Sequence, residues 1–130
     1  MVTFRKFTTS SGKQVLGGKS AENNEELIAQ VQESELVFHT KAPGSPFCNI
    51  KADEKQVSKQ DIKETATFCA SKSQDWRDNK KNVIVHYFLG NQVYKLKSMK
   101  TGTFGVKNLK EIVIKKQEIK EFIDKNETTN

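Results

Sequence analysis

Cysteine is nearly absent from this chain: Cys48 and Cys69 are the two in 130 residues. Two are too few for a disulfide scaffold, and a chain of this length builds one core without such staples. Proline is equally rare and glycine occurs seven times, which excludes collagen-like and low-complexity chain. No apolar run reaches the ~18 residues a membrane helix needs, so no membrane partner is expected. The opening MVTFRKFTTSSGK has no apolar stretch of the kind a secretory signal carries. The expected compartment is the reducing cytoplasm.

The motifs of common chemistries are missing as well. Structural zinc takes paired ligands at short spacing, and His39, His86, Cys48 and Cys69 stand alone. The chain has no GxxxxGK[ST], GxGxxG or GxSxG, so the phosphate-loop, dinucleotide and serine-hydrolase readings lack support. No carboxylate pair stands in an apolar setting. We therefore expect no catalytic residue, metal, cofactor or small-molecule substrate.

What is present is positive charge in one place. The net charge is +6; residues 1–94 hold 13 Lys/Arg against 11 Asp/Glu, whereas residues 95–120 hold eight lysines against two acids. Self-repulsion disfavours such clustering and a polyanion offsets it. A solvated basic face has the same composition, so charge alone does not separate the two.

Patterning predicts one α+β domain over 1–125, a mixed β-sheet with hairpins and two to three helices packed on it, followed by a polar tail at 126–130. Residues 2–8 alternate as a strand, Ser10-Ser11-Gly12 turns, and residues 13–18 return to complete a hairpin. Ser20 is an N-cap for a helix over 21–32. Residues 35–39 form a buried strand, Pro43-Gly44 a turn, and residues 47–50 a further strand. Ser58 and Asp61 have capping-box spacing ahead of a helix to about Ser73. Asp78-Asn79-Lys80-Lys81 reads as a loop, with Trp76 capping the helix end or exposed. Residues 82–89 are the strongest strand, Gly90-Asn91 a two-residue hairpin turn, and residues 92–96 its return. Short strands at 103–106 and 112–114 precede a helix over 115–125 with Ile119, Phe122 and Ile123 inward.

Several residues invite a functional reading. His39 ends a buried strand beside the loop Lys41 to Ser45; it is either a core-edge histidine satisfied by a backbone carbonyl or a donor facing a ligand. Cys69 lies on the inward face of its helix, where a free cysteine acts as a small hydrophobe. Tyr87, Phe88 and Tyr94 lie near the lysines, where aromatics either stack on bases or fill the core. Lysines at 95, 97, 100, 107 and 110 suit phosphate contact rather than base reading. Gly17-Gly18 leads into a helix N-terminus whose free N–H groups, with Lys19, suit a phosphate; a plain strand-to-helix turn has the same residues.

Three stretches in order resemble the NFACT-R domain of ribosome quality-control factors of the NEMF and RqcH type, a domain that also occurs alone. The first is Gly17 to Leu27 (GGKSAENNEEL), the second Glu35 to Ser45 (ELVFHTKAPGS), and the third Val93-Tyr94-Lys95 through Lys100-Thr101-Gly102-Thr103-Phe104. The likeness covers about 4–116. It departs from the family pattern at Glu35 for Asp, Val37 for Trp and Pro46 for His; His39 and the Pro-Gly-Ser turn are kept. The resemblance implies a non-catalytic module for structured RNA, tRNA or ribosomal RNA, working near the large ribosomal subunit or a ribosome-associated protein. It adds Asn24, Gly44, Ser45, Thr101 and Gly102 to Lys19, His39, Lys41, Tyr87 and the lysines 95, 97, 100, 107 and 110 as expected contacts. Three alternatives stay open: a protein-docking module whose basic face meets acidic protein, a general nucleic-acid binder that includes DNA, and a nuclease using His39 with Lys41.

Overall fold

The computed structural model describes residues 2–127. Its strands are β1 (Arg5–Thr8), β2 (Gln14–Gly17), β3 (Glu35–Thr40), β4 (Cys48–Asp53), β5 (Val83–Leu89), β6 (Val93–Tyr94), β7 (Gly105–Val106) and β8 (Lys110–Ile114). The α-helices are α1 (Ala21–Ala29), α2 (Lys59–Ser71), α3 (Gln74–Asn79) and α4 (Lys116–Glu127). Six strands form one sheet in the order β1-β2-β4-β3-β5-β8, and β6 and β7 form a separate ribbon. The fold is α+β. Every strand pair is antiparallel, a narrower arrangement than a mixed sheet.

β3 reads as a continuous apolar run because both of its faces are covered. Leu36 and Phe38 join the larger core, where Val83, Val85 and Ile114 of the sheet meet Ala66, Phe68, Cys69 and Ala70 of α2 and Ile119 of α4. Val37 points the other way, into a smaller core with Leu27 of α1, Phe47 and Phe88. The lone acid of the strand, Glu35, is buried and accepts from Lys51 Nζ at 2.7 Å. α1 is short and covers part of the second face only. The rest of that face is where a site can form.

Local signals placed the helix starts. Ser20 Oγ accepts from Asn23 N, and Ser58 with Asp61 makes the reciprocal capping box. Asp61 is buried; burial opposes its ionisation, but hydrogen bonds from Ser11, Ser58 and Thr9 outweigh this and hold its carboxyl below the usual range.

Four expectations are corrected. Gly90-Asn91 is not a hairpin turn: Gly90–Gln92 is a 3₁₀ turn, and the chain leaves β5 to pair β6 with β7. β5 pairs with β3 on one side and with β8 on the other. Asp78-Asn79 is not loop but the end of α3, a short separate helix that sequence did not indicate, and Trp76 on it is buried. The last helix continues through Asn126 and Glu127, so these two are not tail; residues 128–130 lie outside the described residues.

Candidate nucleic-acid interface

The uncovered part of the second face is the floor of a cleft of about 590 Å³. β3 and β5 supply the floor with His39, His86 and Phe88. The Gly18–Asn24 turn and the start of α1 form one wall, and the 43–47 loop another. The segment from Gly102 to Val106 closes a third side. Among the described residues, the charged ones on the lining are Arg5, Lys19, Lys41, Lys72 and Arg77, with no aspartate or glutamate. Cations in a concave, acid-free setting focus a positive potential.

Two of these walls are held by buried polar contacts. Asn24 Oδ1 accepts from Phe47 N at 3.1 Å, which ties α1 to the residue that leads into β4. Gly18 lies against it, and a Cβ there would fall 1.8 Å from Asn24 Oδ1. In the 43–47 loop, Ser45 Oγ donates to Pro46 O at 2.7 Å and accepts from Thr40 N at 3.2 Å. The third wall is clamped by one carboxylate. Glu25 accepts from Lys95 Nζ and from Gly102 N, both at 2.7 Å. Lys95 Nζ donates further to Lys100 O and Thr103 O and stands 4.6 Å from the centre of the Phe104 ring. Bonding from Lys95 and then Gly102 holds the Glu25 carboxyl below its usual range.

His39 is fixed in both position and tautomer. Its Nδ1 is 2.7 Å from Thr40 O; a carbonyl oxygen only accepts, so Nδ1 carries the hydrogen. Its ring lies 4.4 Å from that of Phe47. Burial pushes its pKa down, against the Thr40 bond. His39 is thus satisfied by a backbone carbonyl and also lines the cleft. Its register neighbour His86 is taken up by Glu111 at 2.8 Å.

Half of the expected contacts come together here: Lys19, Asn24, His39, Lys41, Gly44, Ser45 and Gly102 line the cleft. Asn24 and Ser45 do so as buried struts rather than as free groups. The other half does not. Tyr87 is on the opposite face, stacked on Phe38 at 5.6 Å. Lys95 is engaged inside its own loop. Lys97, Lys100, Thr101, Lys107 and Lys110 are exposed and off the lining. The basic segment therefore contributes a wall through its backbone, not a floor through its charges. Gly102 is approached closely by Ala21, whose Cα would be 2.8 Å from a Cβ at 102. Sequence reading missed Arg5, Lys72 and Arg77. They come from β1, the end of α2 and the unforeseen α3, so no local run of charge marks them. Among the described residues no group of three or more His, Cys, Asp and Glu could hold a metal, and no helix is long and apolar enough to cross a membrane.

Known proteins supply the frame. The chain is similar to the archaeal Rqc2 homolog aRqcH of Methanocaldococcus jannaschii, 36% identical over 73 residues, which is 55% of this chain and 11% of that protein. Its fold matches that of the C-terminal part of the fibronectin/fibrinogen-binding protein from Streptococcus suis, with a TM-score of 0.78 at 21% identity over 92% of this chain and 48% of that one. The chain thus spans half or less of each. The family model "NFACT protein RNA binding domain" matches residues 3–108, a span that holds all three stretches of the sequence likeness, every wall of the cleft and its five cations. The chain belongs to the NFACT RNA-binding domain family.

Proposed function

We propose that the chain is a non-catalytic RNA-binding module acting in ribosome quality control, and that the cleft on the second face of the sheet receives the RNA backbone. The observation that carries this reading is the acid-free lining with five cations, joined to membership of a family described as RNA-binding. The likeness to an Rqc2 homolog supports the setting. Structured RNA, tRNA or ribosomal RNA, is the proposed ligand, with the cytoplasm as the compartment.

Lysine-type contacts read charge and position, not sequence. Binding should therefore tolerate sequence change and fall with salt. For an RNA stem–loop with a single-stranded 3′ end, fluorescence anisotropy across a salt series should give a log–log slope of about −2 to −4, as expected for three to five neutralised phosphates at roughly −0.7 to −0.9 each. A slope near zero would remove the polyanion from the account and leave the cleft to an uncharged or protein ligand.

A further inference from the structure

The cleft is rich in donors and poor in acceptors. Its five Lys and Arg side chains only donate. Most side-chain oxygens on the lining already accept a bond: Asn24 Oδ1 from Phe47 N, Ser20 Oγ from Asn23 N and Ser45 Oγ from Thr40 N; His86 donates its Nε2–H to the Glu111 carboxylate. His39 differs. Its Nδ1–H is used on Thr40 O, and its Nε2 has no protein partner among the described residues. No buried side-chain nitrogen or oxygen among the described residues lacks a partner. The Nε2 atom is therefore one that solvent reaches, and the space its residue lines is the cleft. With the ring neutral, as its burial favours, Nε2 offers a lone pair and no hydrogen.

A phosphate cannot use such an atom, because a phosphodiester has no donor. The sugar–phosphate chain of RNA has one donor at each internal unit, the ribose 2′-hydroxyl, and DNA lacks it. A base offers donors too, on its exocyclic amines. The floor does not favour a base lying face-down there: Phe47 and Phe88 are 5% and 4% exposed, so neither leaves a ring face open for stacking. Cations around the cleft and the His39 acceptor on its floor match a backbone laid in with its sugars inward.

Resting on the RNA-binding reading above, we infer that His39 Nε2 accepts a hydrogen bond from a ribose 2′-hydroxyl and that this contact makes the cleft prefer RNA to DNA. His39 is then a specificity-determining residue whose Nδ1 bond to Thr40 sets the tautomer that the recognition needs.

The test uses the full chain and three labelled stem–loops of one sequence: RNA, 2′-fluoro RNA and DNA. The 2′-fluoro strand keeps the RNA-like helix and removes the donor, which separates hydroxyl recognition from helix shape. Wild-type protein should bind RNA about 3- to 10-fold more tightly than 2′-fluoro RNA, the range for one net hydrogen bond. In His39→Phe, which keeps a ring beside Phe47, RNA and 2′-fluoro RNA should bind equally, with the salt slope unchanged. Equal affinity of the wild-type protein for RNA and 2′-fluoro RNA overturns the inference whether or not the variant folds, and a persisting salt slope would show that the cleft reading survives it. Loss of salt-dependent binding to all three strands would instead overturn the cleft reading itself.

Discussion

Replacing Lys19, Lys41 and Arg77 together with alanine should weaken RNA binding at least ten-fold at moderate salt and flatten the salt slope by about 2 to 3, one phosphate for each cation removed. These three stand on separate elements around one cleft. Lys19 Nζ touches the neutral Thr3 hydroxyl, and the Arg77 guanidinium donates to Lys72 O and Gln74 Oε1. None of these bonds neutralises a charge. All three side chains are exposed, so stability should change by less than about 0.5 kcal/mol for each. The control is Lys107, Lys110 and Lys120 to alanine, which removes the same net charge from outside the cleft. If binding follows overall charge alone, the two triple variants lose affinity equally. The cleft account requires the first to lose far more, and an equal loss would refute the placement of the site.

The second large effect falls on stability. Gly18→Ala should cost about 2 to 4 kcal/mol, measured by urea denaturation. The added methyl would sit 1.8 Å from Asn24 Oδ1, so the Asn24 side chain must move. That leaves the buried Phe47 N–H without its acceptor, and an orphaned buried donor costs about 1 to 3 kcal/mol by itself. Asn24→Ala loses the same bond without a clash and should cost about 1 to 3 kcal/mol. The informative quantity is the double variant. Once Asn24 is cut back to its Cβ the methyl at 18 meets no amide, so Gly18→Ala with Asn24→Ala should match Asn24→Ala alone. Additive losses would mean that Gly18 is needed for another reason.

Which parts of this molecule were legible from sequence follows from how local their causes are. The caps at Ser20 and Ser58 are set within three residues, and both starts were placed correctly. β3 and β5 were readable because two covered faces demand an unbroken apolar run. α3 was not, because QDWRDN has one apolar residue and takes its reason to be helical from burying Trp76 against the main core. Gly90-Asn91 looks like a hairpin because local turn chemistry is all that sequence shows. The competitor for β5 is β8, which follows the whole β6–β7 ribbon. Packing, not the turn, decided that pairing.

The site was half legible for a related reason. The Pro-Gly-Ser loop, His39 and the Gly17-Gly18 turn lie in the short stretches that carry the family resemblance. The charge count pointed to residues 95–120, yet counting along the chain cannot see that Lys95 is consumed by Glu25 and the carbonyls of Lys100 and Thr103. Nor can it gather Arg5, Lys72 and Arg77 from three elements onto one cleft. The three departures from the resembled pattern, Glu35, Val37 and Pro46, are all buried. Val37 packs in the small core under α1, and Pro46 lines the cleft where the resembled pattern has a histidine, which leaves His39 and His86 as the imidazoles of this cleft.

The most direct measurement is a map of backbone amide chemical shifts during titration with the RNA stem–loop. The account predicts that the largest changes gather at Gly18 to Ala21, at His39 to Gly44 and at Gly102 to Phe104, the residues that wall the cleft from three sides. Changes confined to α4 and to the lysines from 107 to 120, with the cleft amides unmoved, would contradict it and return the binding site to the basic segment.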